Sequence, residues 1–105
     1  MGCHYRPEEK MIIGSWKYLS VTIGDSSALD VSNSDYMDLN ADSSFRYDVE
    51  SINKHMKGQW SYSDHTLHLH YEKPDTIRHF EIDVLTRYNL HMHEGDMVFK
   101  YMRVE

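Results

Sequence analysis

The segment Met56-Lys57-Gly58-Gln59-Trp60-Ser61-Tyr62-Ser63-Asp64-His65-Thr66-Leu67-His68-Leu69-His70-Tyr71-Glu72 alternates, turns once, and alternates again. Gly58, Trp60 and Tyr62 fall on one parity; Lys57, Gln59 and Ser61 fall on the other. Past Ser63-Asp64-His65, Leu67, Leu69 and Tyr71 oppose His68 and His70. Successive side chains of a strand point to opposite faces, so a period of two signals a half-buried strand. The Ser-Asp cluster between the runs supplies turn chemistry. An antiparallel hairpin is predicted here.

The same period extends in both directions. Upstream, Phe45, Tyr47 and Val49 oppose Arg46, Asp48 and Glu50, and before them Met37 and Leu39 share one parity of segment 35–40. Downstream, Phe80, Ile82 and Val84 oppose His79, Glu81 and Asp83, and the adjacent Val84-Leu85 pair signals a bulge. Leu90 and Met92 follow, then Met97, Phe99, Tyr101 and Arg103. Segment 15–23 sets Trp16, Tyr18 and Ser20 against Lys17, Leu19 and Val21. The polar connection 24–34 reads as a long loop suited to a lid. Residues 7–13 suit one short helical turn, with Pro7 at its start, acids at 8 and 9, and Gly14 ending it.

About eight strands recur near every ten residues, mostly with short turns between them. Short connections place sequence neighbours side by side. The expected fold is all-β: an eight-stranded antiparallel up-and-down barrel with a short N-terminal helical turn. Closure removes exposed sheet edges. The first strand opens with Gly14-Ser15-Trp16 and the last ends with Met102-Arg103-Val104, so the two ends are expected to meet with the guanidinium over the indole. Residues 1–10 are read as a leader and 11–105 as the barrel.

Composition narrows the function classes. A chain of 105 residues is one domain. Its formal net charge is −6 and its Lys and Arg are scattered, which disfavours nucleic acid and anionic membrane surfaces as partners. No run approaches the ~20 apolar residues of a membrane-spanning helix. The single cysteine, Cys3, excludes an internal disulfide and a C-x-x-C site. Two readings of Cys3 stand: an incidental thiol, or the acylated first residue of a mature bacterial lipoprotein whose signal has been cut away, with Met1-Gly2 left over from expression, ahead of the polar tether 4–10. The second reading places the protein in the bacterial cell envelope, periplasmic or anchored to the outer membrane.

No Ser-His-Asp arrangement and no phosphate loop is evident, so no catalytic residue is assigned and the protein is not read as an enzyme. Nothing calls for a cofactor. His68, His70, His79, His91 and His93 share the outward parity of three neighbouring strands. Neutral imidazoles suit a Zn²⁺-like ion, but no supporting shell is legible, so no metal is assigned and the group is read as a titrating outer face.

The order Gly14-Ser15-Trp16, Met37-Asp38-Leu39-Asn40, Phe45-Arg46-Tyr47, Gly58-Gln59-Trp60, Phe80-Glu81-Ile82-Asp83-Val84-Leu85 and Arg103 resembles a small bacterial lipocalin-like domain of the calycin superfamily. The resemblance spans about residues 12–104. It implies a barrel with a cup for a small apolar or amphipathic molecule and structural roles for Gly14, Trp16 and Arg103 at the closed end. The inward residues Tyr18, Leu39, Phe45, Tyr47, Trp60, Tyr62, Leu69, Tyr71, Phe80, Met92, Phe99 and Tyr101 are then the candidate ligand-binding set. The alternative is a solid-core barrel that works as a protein–protein interaction module through its outer His-rich face.

Overall fold

The computed structural model describes residues 7–24, 26–29, 35–50, 53–73 and 75–104. Cys3, the first half of the tether, and residues 25 and 30–34 of the expected lid lie outside the described residues. Helix α1 (Pro7–Ile12) is followed by β1 (Gly14–Ile23), β2 (Ser26–Leu29), β3 (Tyr36–Leu39), β4 (Ser44–Val49) and β5 (Lys54–Ser63). The chain continues through β6 (Thr66–Tyr71), β7 (Thr76–Leu85), β8 (Asn89–Glu94) and β9 (Met97–Val104). All pairings are antiparallel, and β3 to β9 run as a simple meander. One edge of β1 pairs with β3 and the other with β9, so eight strands close into the expected up-and-down barrel.

Strand β2 is the departure. Part of the expected long loop folds back as a hairpin, with Ile23 opposite Ser26 and Val21 opposite Leu29. Gly24, at φ +58°, supplies the turn; a residue without Cβ adopts that conformation at little cost. Strand β3 covers only residues 14–17 of β1, so the far end of the same edge is left for β2 to pair.

Two bulges invert the expected parity. Opposite β9, Leu19 is an extra residue between Tyr18 and Ser20. Trp16, Tyr18 and Val21 therefore point inward, while Leu19 is 45% exposed and Ser20 leaves the core face. On β7 the extra residue is Asp83, one position before the expected Val84-Leu85 site. Leu85 then packs on the core and Val84 faces out. A bulge sets two residues against one, which bends the strand and reorients its side chains.

Trp16 and Arg103 are cross-strand partners at the closed end. The guanidinium lies 4.3 Å from the indole centroid. It also donates from Nη1 to the Ile13 carbonyl at 2.8 Å, from Nε to the Arg87 carbonyl at 2.6 Å, and from Nη2 to the Met11 carbonyl. Trp16 Nε1 donates to the Ile12 carbonyl at 2.7 Å. The last carbonyls of a helix lack partners within it, and here two side chains of the barrel supply them. Gly14 is required by the close approach: its φ is +146°, and a Cβ there would stand 2.3 Å from Arg103 Nη1. The turn Thr86-Arg87-Tyr88 is fastened to the same strand, with Arg103 N–H donating to the Tyr88 carbonyl at 2.8 Å.

Above this floor the interior is filled. Trp16, Leu39, Phe45, Leu67, Leu90 and Met92 are at most 2% exposed. Gly58 lets β5 pass Phe45 and β6, because a Cβ would come within 1.9 Å of the His70 carbonyl oxygen. Asp35 is fully buried just before β3; its carboxylate accepts the Glu50 N–H at 2.7 Å and its carbonyl accepts the Tyr18 N–H at 3.0 Å. It ties the bulged part of β1 to the end of β4.

Arg103→Met is expected to lower the unfolding free energy by about 2–4 kcal/mol, through lost charged hydrogen bonds, unpaired carbonyls and a lost cation–π contact. Arg103→Lys should recover less than half, since an ammonium cannot reproduce the planar fork. Urea titration of the three proteins checks both expectations.

Candidate functional site

Pairing register sets depth in the barrel. The start of β1, the end of β3, the start of β4 and the end of β9 gather at the Trp16 floor. The opposite mouth is formed by the ends of β1, β4, β6 and β8 and the starts of β5, β7 and β9. A cavity of about 160 Å³ lies at this mouth, lined by Val21, Val49, Met97 and Phe99 and by Tyr47, Lys54 and Arg78.

Arg78 dominates its polar side. It sits opposite Leu69 and two residues before Phe80, on the inward face of β7. Its Nε donates to Glu94 Oε2 at 2.9 Å, and Nη2 donates to Glu94 Oε1. Its Nη1 donates to the Tyr71 hydroxyl at 3.1 Å, and that hydroxyl is 3.1 Å from the hydroxyl of Tyr47. The Phe80 ring supports the guanidinium, 4.8 Å from Arg78 Cζ. The bond to Glu94 is the main reason the guanidinium is held charged more firmly than usual. Burial, with the hydrogen bond to Tyr71, pushes the Tyr47 phenol above its ordinary range, so it stays a neutral hydroxyl. Lys54 lies at the rim and has no carboxylate partner among the described residues.

The sequence-predicted set is distributed along the whole barrel. Tyr47 and Phe99 line the mouth cavity, and Tyr71 holds both Tyr47 and Arg78. Tyr18 and Tyr101 meet edge-on at 4.6 Å, and burial pushes both hydroxyls up. Leu69, Phe80 and Met92 are buried in the core. Leu39, Phe45 and Trp60 gather toward the closed end, where the Trp60 indole donates to the Asn40 carbonyl at 2.8 Å. Tyr62 is half-buried beside His65. Sequence reasoning missed Val21, Val49, Lys54, Arg78, Glu94 and Met97. Val21 was hidden by the bulge at Leu19. Arg78 and Glu94 did leave a signal: opposite charges on the apolar parity of adjacent strands.

Three of the five outer histidines fall into two groups, and His91 lies on β8 opposite Val84 and Lys100. His68 and His79 are cross-strand partners whose Nδ1 atoms are 2.6 Å apart, with Ser63 Oγ 3.0 Å from His68 Nε2. The bulge turns Asp83 toward His93 Nδ1, at 2.7 Å, while Glu81 reaches His93 Nε2 at 3.0 Å. His70 pairs separately with Asp75 at 2.6 Å. Among the described residues, no three His, Cys, Asp or Glu side chains converge to hold a metal ion.

Residues 12–92 match the family described as a lipocalin-like domain. No curated protein is significantly similar to the chain. A lipocalin-like protein from Bacteroides uniformis is similar in structure, with a TM-score of 0.74 at 12% identity over 90% of this chain and 99% of that one. An uncharacterized protein from Bacteroides eggerthii has a TM-score of 0.72 at 11% identity, covering 88% and 98% respectively. At these identities the likeness is one of fold. No helix among the described residues is long and apolar enough to cross a membrane.

The two histidine clusters oppose each other in pH dependence. Burial, then the charge of His79, lowers the His68 pKa below 6.5. Its neutral form is favoured in the folded state, so its contribution is complete above 6.5 and is lost as the pH falls below that value. The bond to Asp83 raises the His93 pKa above 6.5, so its contribution is complete below 6.5 and is lost as the pH rises through the folded value. His79→Gln is therefore expected to shrink the loss of stability between about pH 7 and pH 5, and Asp83→Asn to enlarge it. Urea midpoints at the two pH values provide the measurement.

Proposed function

This chain belongs to the lipocalin-like domain family, and from that premise we propose that it is a non-enzymatic carrier or sensor of a small amphipathic molecule. The observation that carries the reading is the cavity at the barrel mouth, with one apolar wall and one polar wall. Small-molecule sites combine mostly apolar walls with a few placed polar groups, and the mouth of a β-barrel is a favoured position for them. The ligand enters beside Met97 and Lys54. Its apolar part packs on Val21, Val49 and Phe99, and its polar part meets Tyr47 and Arg78. Trp60, Leu39 and Phe45 act as the packed floor that keeps the cup rigid rather than as contacts.

The capacity is small. About five water volumes of ~30 Å³ each would fill 160 Å³, so the buried part of the ligand is a short chain or a single ring. In the same proposal, acylation of Cys3 tethers the barrel to the bacterial envelope and presents the mouth to molecules in that compartment. Metabolic labelling in bacteria with a palmitate analogue, of residues 3–105 expressed behind a lipoprotein signal segment, is expected to mark wild-type protein and leave Cys3→Ser unmarked.

Titration with an uncharged naphthylamine fluorophore tests the cup. Wild-type protein is expected to bind with an emission increase that a competing short-chain amphiphile reverses. Val49→Phe places a ring in the cavity and should weaken uptake roughly tenfold or more, about 1.4 kcal/mol. Cooperative unfolding of this variant would show that its fold is intact. Absence of uptake by wild-type protein across uncharged probes of several shapes would overturn the reading.

A further inference from the structure

The two walls of the cup differ in charge as well as in polarity. A guanidinium has five N–H donors, and Arg78 commits two to Glu94 and one to Tyr71. One N–H on each terminal nitrogen is left at the cavity wall. Lys54 adds an ammonium at the rim with no carboxylate partner among the described residues. The lining of the cavity thus carries two cations and no carboxylate, with Glu94 bound to one of them, in a protein whose formal net charge is −6. Excess positive charge beside an apolar slot, on an otherwise acidic molecule, is a local arrangement for an anionic head.

We propose that the cup selects short-chain monocarboxylates, with the carboxylate bridging Arg78 and Lys54 and the chain against Val21, Val49 and Phe99. This rests on the ligand-cup reading above and adds the chemical class of the ligand. A carboxylate matches the guanidinium fork in shape, and charge-assisted hydrogen bonds are about twice as strong as neutral ones. The Tyr47 hydroxyl, kept neutral by its surroundings, lies beside the fork and holds Tyr71, which in turn holds Arg78. Glu94 has a defined part: it holds Arg78 in place while the cup is empty and competes with the incoming carboxylate for the same cation. Affinity is thereby kept moderate and exchange easy.

Four ligands of equal chain length separate the possibilities by calorimetry on the full chain: hexanoate, 1-hexanol, hexylamine and hexanamide. Hexanoate is expected to bind about tenfold or more tighter than 1-hexanol and hexanamide, and hexylamine the weakest. Added salt should weaken hexanoate and leave 1-hexanol unchanged. Lys54→Met, at the rim of the cup, should cut hexanoate affinity severalfold relative to 1-hexanol. Glu94→Gln should change hexanoate in the opposite direction, tightening it by removing the competing charge. Because Arg78→Met leaves Glu94 without its cation and so changes the fold's own contacts as well as the cup, these two variants carry the test. Equal binding of hexanoate and 1-hexanol, or tightest binding of hexylamine, would overturn the carboxylate assignment while leaving the cup intact. Loss of the uncharged fluorophore in wild-type protein would remove the cup and this assignment together.

Discussion

Closure of the barrel turns on the Arg103 guanidinium lying across Trp16. It is the point where the first strand, the last strand, the N-terminal helix and the 86–88 turn are joined. A meander of eight strands has two free edges until β1 and β9 pair, and those partners are separated by nearly the whole chain. Such long-range pairing carries a loop-closure cost before any contact offsets it. Arg103 concentrates a cation–π contact and three carbonyl acceptors on one side chain at that junction. Gly14 is the backbone condition for it, since any larger residue occupies the guanidinium's space. Helix α1, too short to be stable alone, is held because Trp16 and Arg103 satisfy its last carbonyls.

From this floor upward the interior changes character. The lower and middle layers are apolar, with buried Trp, Phe, Leu and Met side chains between the strands. Toward the mouth the layers become amphipathic: Tyr47 and Tyr71, then the Arg78–Glu94 pair, then Lys54 at the rim. A small barrel can be filled by its own side chains, and this one is filled except for its last layer. The gradient gives the molecule a polarity along its axis, with a packed closed end and a mouth that holds a small cavity lined in part by charged side chains. The Arg78 guanidinium is supported from two sides, by the Phe80 ring and by the Tyr71 hydroxyl.

The bulges decide which side chains reach the interior and the mouth cavity. The extra residue at Leu19 returns Val21 to the interior, where it lines the cup. The extra residue at Asp83 turns a carboxylate toward His93 and places Leu85 on the core. Without the first, the mouth would present Ser20 in place of Val21. At both bulges the pairing continues beyond the extra residue, shifted by one position.

Much of this was legible in the residues themselves. Strand positions, the inward parity of most strands, the Gly14–Trp16–Arg103 junction and the lipocalin-like family all follow from local alternation and motif order, since the pleat assigns each residue to a face from its immediate neighbours alone. The tertiary structure decided what depends on distant pairing. Register places Tyr47, Phe99, Arg78 and Lys54 at the mouth but Trp60, Leu39 and Phe45 toward the floor, although all share the inward parity. The hairpin of β2 and the two bulges answer to what lies across the sheet rather than along the strand. Alternation says which way a side chain points; its depth along the barrel axis is set by how far each strand slides against the next, and that is a property of the assembled sheet.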